Sequence, residues 1–334
     1  KGEINVGDAS AVAFVLKATE DPEALKPLME AFLKSGPSDS ERRKETIALI
    51  SDIGGADALK FLFDYAMKLD ADRSEEKARI LRALAQAADQ RQVMPEGVDK
   101  EKILELIVSD PGNEQRDVTA AAAKLAGSWK LAGAAPKLSA LASGSWTGAA
   151  VDAFESLAVL GGDDNVRFLV EQARSPGVTQ KQCAALAALA SADIQLAATE
   201  TGAFLASQKQ GIVATSGVYG DGPMIPGVIR AFTFRKGGAD LLAAALEGKT
   251  VLSESAAIGV RVAESSPDRS QKLIDVLTKA GNLAPVVQAL SADEMTAMMQ
   301  LVTSEGDAAR GEEIYRRQQL LCMTCHAIGG AGGV

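Results

Sequence analysis

A ten-residue stretch of this chain returns 107 positions further on, almost type for type. Ile53-Gly54-Gly55-Ala56-Asp57-Ala58-Leu59-Lys60-Phe61-Leu62 matches Leu160-Gly161-Gly162-Asp163-Asp164-Asn165-Val166-Arg167-Phe168-Leu169. A match at such a spacing marks a repeat array, and the offset of 107 divides into three periods of about 36 residues. In the first copy, Ile47 and Ile50 precede the glycine pair, and Leu59, Leu62, Phe63 and Ala66 follow it at helical spacing. Ser40 to Leu69 therefore predicts two antiparallel helices joined by a short turn.

The same pattern can be read elsewhere. Val118–Leu141, Ala149–Ala173, Lys181–Ala206 and Ser253–Ala280 each open with a helix rich in small residues and turn at Gly, Asp or Ser. A second helix with a leucine stripe then follows. An earlier helix follows Asp21-Pro22-Glu23, where Asp21 can accept free amides and Pro22 suits the first helical position. Leu25, Leu28, Met29, Phe32 and Leu33 give it one apolar stripe, and Gly36-Pro37 ends it. Pro27 predicts a kink or a later start, because it removes one backbone bond. Asp89–Lys100 and Gly217–Gly227 break the pattern, and the second is expected as an extended, exposed loop.

Composition agrees with helix packing. The chain of 334 residues is 47% hydrophobic but only 4% aromatic. Alanine, leucine and glycine suit close helix contacts better than a β-sandwich, which draws on β-branched and aromatic residues. The net charge of −9 argues against non-specific nucleic-acid binding, which needs a basic face. No apolar run reaches the ~20 residues that cross a bilayer, so no transmembrane segment is expected. No signal peptide opens the sequence at Lys1-Gly2-Glu3. Three cysteines, two of them in one motif, make no disulfide framework.

The chemistry lies at the far end, in Cys322-Met323-Thr324-Cys325-His326, which contains the only histidine. Cys-x-x-Cys-His is the pattern of covalent haem attachment. Thiols three residues apart on a helical turn can reach both vinyl groups of one haem edge, and the adjacent imidazole then lies under the iron. Two other uses of the cysteines compete. A redox dithiol wants a strand–helix context in an α/β fold, which nothing here supplies. A zinc site would need a fourth ligand, and the remaining cysteine, Cys183, sits on an alanine-rich helical face as a small buried hydrophobe. The glycine strip Gly329–Gly333 lacks the Lys-Ser/Thr of a phosphate loop. No catalytic residue set is identified, since the one histidine is committed and no carboxylate pair stands out.

Two resemblances follow from these residues. Residues 5 to 300 or so are similar to HEAT-type repeats. The last thirty resemble the start of a class I cytochrome c domain, on Gly311-x-x-x-Tyr315 followed by Cys322-x-x-Cys325-His326. More narrowly, Arg310–Arg317 and the segment after His326 resemble haem-binding proteins of planctomycetes and verrucomicrobia, in which a HEAT region joins a C-terminal cytochrome module beside a dehydrogenase. The resemblance implies haem thioethers at Cys322 and Cys325 and His326 as the axial ligand to the haem iron. It also implies a redox partner protein or fused dehydrogenase domain, and a periplasmic or otherwise extracytoplasmic location, with any leader outside this sequence. The spacing from Tyr315 to Cys322 is longer than in the commonest members. The family's distal ligand, usually a methionine, lies well beyond the motif, whereas this sequence stops at Val334. Haem c is therefore expected to be absent or incompletely enclosed in this chain. Met224, Met295, Met298 and Met299 are stand-ins for that ligand, although the spacing of the last three fits a core or interface stripe better.

The expected fold is thus all-α: an α-solenoid of HEAT-like hairpins over 1–303, of about eight or nine pairs, then the opening of a cytochrome c domain over 304–334. The expected function is electron transfer through the haem. The alternative is a protein-binding scaffold with no redox role. Trp129 and Trp146, near repeat turns, fit core packing or a patch facing a partner.

Overall fold

The computed structural model describes residues 25–36, 40–144, 147–176, 179–208, 224–283 and 291–316. Among them are seventeen α-helices and no strand, so the fold is all-α. The chain divides into two compact units, Lys1–Leu283 and Ala284–Val334.

In the first unit the helices are α1 (Leu25–Lys34), α2 (Ser40–Ile53), α3 (Ala56–Met67), α4 (Ser74–Arg91) and α5 (Glu101–Glu105). They continue with α6 (Arg116–Ser128), α7 (Ala134–Ser143), α8 (Thr147–Leu160), α9 (Asp163–Arg174) and α10 (Thr179–Ala192). The last are α11 (Ile194–Ser207), α12 (Ile225–Thr233), α13 (Gly238–Leu246), α14 (Ser253–Glu264) and α15 (Gln271–Ala280). From α2 onward every even-numbered helix packs against the even-numbered helix on either side of it, up to α14. The odd-numbered helices from α7 to α15 pack in a second series. From α8 to α13 each helix thus has a neighbour before, after and across from it.

Small residues make that spacing possible. In α6, Ala120, Ala121, Ala122 and Ala123 are all buried, because α4, α8, α5 and α7 surround the helix. Ser51 Oγ of α2 donates to Ala83 O of α4 at 2.9 Å, and Ser156 Oγ of α8 donates to Ala123 O of α6 at 2.8 Å. Both hydroxyls are satisfied on a neighbouring helix instead of competing with their own backbone. Larger side chains complete the core: Phe63, Phe154 and Phe232 are essentially fully buried.

Several expectations meet the structure here. The pairs over 40–69, 118–141, 149–173, 181–206 and 253–280 are all present. Pro27 sits in the first described turn of α1, and α1 runs on to Lys34. The break after α4 begins at Gln92, not Asp89, where a left-handed residue (φ 57°) closes the helix. The expected extended loop over 217–227 is corrected at its end. Ile225-Pro226-Gly227 forms the first turn of α12, because proline in a first turn removes an amide that has no helical partner. Residues 217–223 of that stretch lie outside the described residues. Trp129 is core packing: it closes α6, is 5% exposed, and stacks near Phe63 with ring centroids 5.8 Å apart. Trp146 lies outside the described residues.

The second unit contains α16 (Ala292–Glu305) and α17 (Ala308–Tyr315). Ser291 and Glu294 form a reciprocal cap at the start of α16, and their hydrogen bonds hold the Glu294 carboxyl below its usual range. Asp307 caps α17 through Arg310 N at 3.0 Å. The charged helix read over 308–321 is helical as far as Tyr315, and its last residues lie outside the described ones.

Candidate functional site

Cys322, Cys325 and His326 lie outside the described residues. The last residue described before them is Arg316, at the end of α17. Gly311 on that helix has open space where a side chain would stand. On α16, Met295, Met298, Met299 and Val302 form a stripe at helical spacing that is 46–64% exposed. Among the described residues nothing buries the three methionines. Met224, just before α12, is half-buried. Among the described residues no group of three or more His, Cys, Asp or Glu is gathered as a metal would require. Cys183 is fully buried on α10, and burial pushes its thiol up to about 12, so it stays protonated and unreactive.

One surface that brings charged and small side chains together lies across the even-numbered helices. A cleft of about 420 Å³ opens over α10, whose Ala184, Ala187, Ala188 and Ser191 form its floor. Val151, Glu155 and Val159 of α8, four residues apart in turn, make one wall. Gly227 and Ala231 of α12, with Arg235 beyond its end, make the other, and Lys124 of α6 closes one side. The cleft exists because α10 and the facing turns of α12 present only small side chains there, while α8 carries the larger Val151, Glu155 and Val159.

Its electrostatics are graded. Lys124 Nζ meets Glu155 Oε2 at 3.1 Å, and Arg82 reaches Asp117 at 3.6 Å on the adjoining helices. Asp152 is half-buried behind this pair. Burial first, and the Glu155 charge second, raise its carboxyl from 3.8 to about 6, against the pull of Lys124 and Arg82. At the opposite end, Arg235 donates to Ser191 Oγ at 2.5 Å and to Ala231 O. Both contacts fix the guanidinium at the rim without neutralising it.

Asp152 has a consequence for stability. The folded chain holds its proton more tightly than the unfolded chain, so the contribution is full below about pH 4 and is lost as pH rises through about 6. Asp152→Asn is expected to leave stability nearly unchanged at about pH 4 and to raise it by about 1–3 kcal/mol at about pH 8. Urea unfolding at both pH values checks this, and an equal effect at both would contradict it.

The arrangement is suited to binding. No Ser, Thr or Cys among the described residues hydrogen-bonds the Asp152 carboxylate, so no nucleophile–base pair forms around it. Sequence reasoning missed this surface, since its residues come from four helices spread over 124–235 and share no short motif. The alanine-rich run of α10 was legible as a packed helix, not as a floor. Compared with known proteins, the chain matches no family model, no curated protein and no solved structure.

Proposed function

We propose that this protein transfers electrons through a c-type haem held by Cys322, Cys325 and His326, carried on a HEAT-type α-solenoid. The observation behind this reading is the Cys322-x-x-Cys325-His326 motif, which uses two of three cysteines and the only histidine. The donor set fits the group: two thiols for its thioethers and one imidazole for its iron. When bound, the haem supplies a one-electron Fe(III)/Fe(II) couple. The chain's own residues then act as ligands and as burial, and none needs to act as acid, base or nucleophile. The alternating packing of even- and odd-numbered helices supports the solenoid part, as does the repeat across 107 residues. In this reading the solenoid holds the haem near an associated dehydrogenase. The protein works outside the cytoplasm, where such haem is attached.

The test is expression of the chain extended past Val334, with the c-type maturation machinery, followed by extraction with acidified acetone. The haem is expected to stay with the protein, and Cys322→Ala/Cys325→Ala is expected to be colourless with an unchanged melting temperature. A colourless wild type, or haem extracted by the solvent, would contradict the proposal and leave a scaffold.

A further inference from the structure

The C-terminal end of α12 gathers three cations within seven residues. Arg230, Arg235 and Lys236 enter no ion pair among the described residues, and Asp240 in the first turn of α13 pairs with none of them. In a chain of net charge −9 this is a local excess of positive charge. Between these cations stands Phe234, 65% exposed, one of the most exposed large apolar side chains described.

Helical spacing joins this cluster to the cleft. Gly227, Arg230, Ala231 and Phe234 fall at i, i+3, i+4 and i+7, on the face of α12 opposite buried Val228, Ile229 and Phe232. Gly227 and Ala231 line the cleft, and Arg230 and Phe234 share their face of α12 beside it. Across the floor, Val159 adds a second apolar edge at 46% exposure. The lysine at the far end is already neutralised by Glu155 at 3.1 Å. What the surface offers is an apolar floor with cations at one end that no carboxylate among the described residues pairs.

We propose that the cleft over α10 and the cationic end of α12 form one docking surface for an acidic, apolar-bearing polypeptide segment of a partner protein. Its apolar side chains lie on the alanine floor, and its carboxylates meet Arg235, Arg230 and Lys236. Charge complementarity selects the acidic partner. An arginine already fixed by Ser191 and Ala231 loses little freedom on pairing with a carboxylate. A nucleic acid fits worse, since its phosphate backbone would face a chain of net charge −9 and its bases a floor without aromatic rings. The surface lies wholly within the first unit and does not depend on the haem motif.

The experiment is fluorescence anisotropy at low salt with a labelled Leu-Glu repeat peptide, a Leu-Lys repeat peptide and a single-stranded oligonucleotide. The Leu-Glu peptide is expected to bind and the other two are not. Arg235→Ala is expected to weaken it by about tenfold or more. Ala187→Trp, at a half-exposed floor position, is expected to block it while the melting temperature stays at the wild-type value, which separates loss of the surface from loss of the fold. No binding of the Leu-Glu peptide, equal binding in Ala187→Trp, or preference for the oligonucleotide would overturn the proposal.

Discussion

Arg43→Ala is expected to destabilise the first unit by about 3–5 kcal/mol, the cost of breaking a buried ion pair from one side. Arg43 is 4% exposed at the corner where α1, α2, α3 and α4 meet. Its Nε and Nη2 donate to Glu76 Oε1 at 2.9 and 2.7 Å, and Nη2 also donates to the Tyr65 hydroxyl at 2.6 Å. Nη1 donates to Phe32 O at 2.7 Å, Ser35 O at 3.0 Å and Ser35 Oγ at 2.7 Å. The guanidinium also lies 3.9 Å from the centroid of the Phe32 ring. Removing it leaves Glu76, still touched by Arg73, with part of its charge uncompensated, and strands the carbonyls that end α1. Lysine cannot replace it, because one ammonium cannot fork to three elements. Denaturant unfolding measures the loss. The double variant Arg43→Met/Glu76→Gln is expected to recover a large part of it, since no charge then stays buried alone. A loss below about 1 kcal/mol for Arg43→Ala would mean the corner is held by apolar packing alone.

Gly127→Val is expected to cost at least about 3 kcal/mol, at the upper end of overpacking effects. A Cβ at Gly127 would stand 2.5 Å from Ser156 Oγ, 2.6 Å from its Cβ and 2.7 Å from its Cα. Ser156 cannot swing aside cheaply, because its hydroxyl is bonded to Ala123 O of the same helix. The helix α6 cannot retreat either, since α4 packs on its other side. Gly112→Ala is the control: nothing lies within 4 Å of the added carbon, and its φ of −58° suits any residue. Calorimetry should show a melting temperature near wild type for the control and a large drop for Gly127→Val. Equal melting of the two would contradict the close approach of α6 and α8.

These two residues also show what the sequence could and could not reveal. The helix pairs were legible because apolar spacing and glycine turns are local signals, as at Ile47, Ile50 and Gly54-Gly55. Arg43 was not, since it sits in a run of charged residues, Ser40 to Glu45, that reads as a solvated helix face. Only the arrival of Phe32, Tyr65 and Glu76 from three other elements makes it a buried hub. The pair formed by α12 and α13 was missed for a different reason: Pro226-Gly227 looks like a loop until its place in a first turn is known. The methionine stripe of α16 was read correctly as helical, but spacing alone cannot tell an exposed stripe from a core one. The cleft over α10 had no local signature. The Cys322-x-x-Cys325-His326 pattern is the opposite case, five consecutive residues on which the proposed haem reading rests by itself.

The proposed chemistry is most directly tested by an equilibrium redox titration of the matured protein, extended past Val334, followed in the visible spectrum. A reversible one-electron transition, absent from Cys322→Ala/Cys325→Ala, is the predicted result. A protein that folds fully and shows no such couple would contradict the electron-transfer reading.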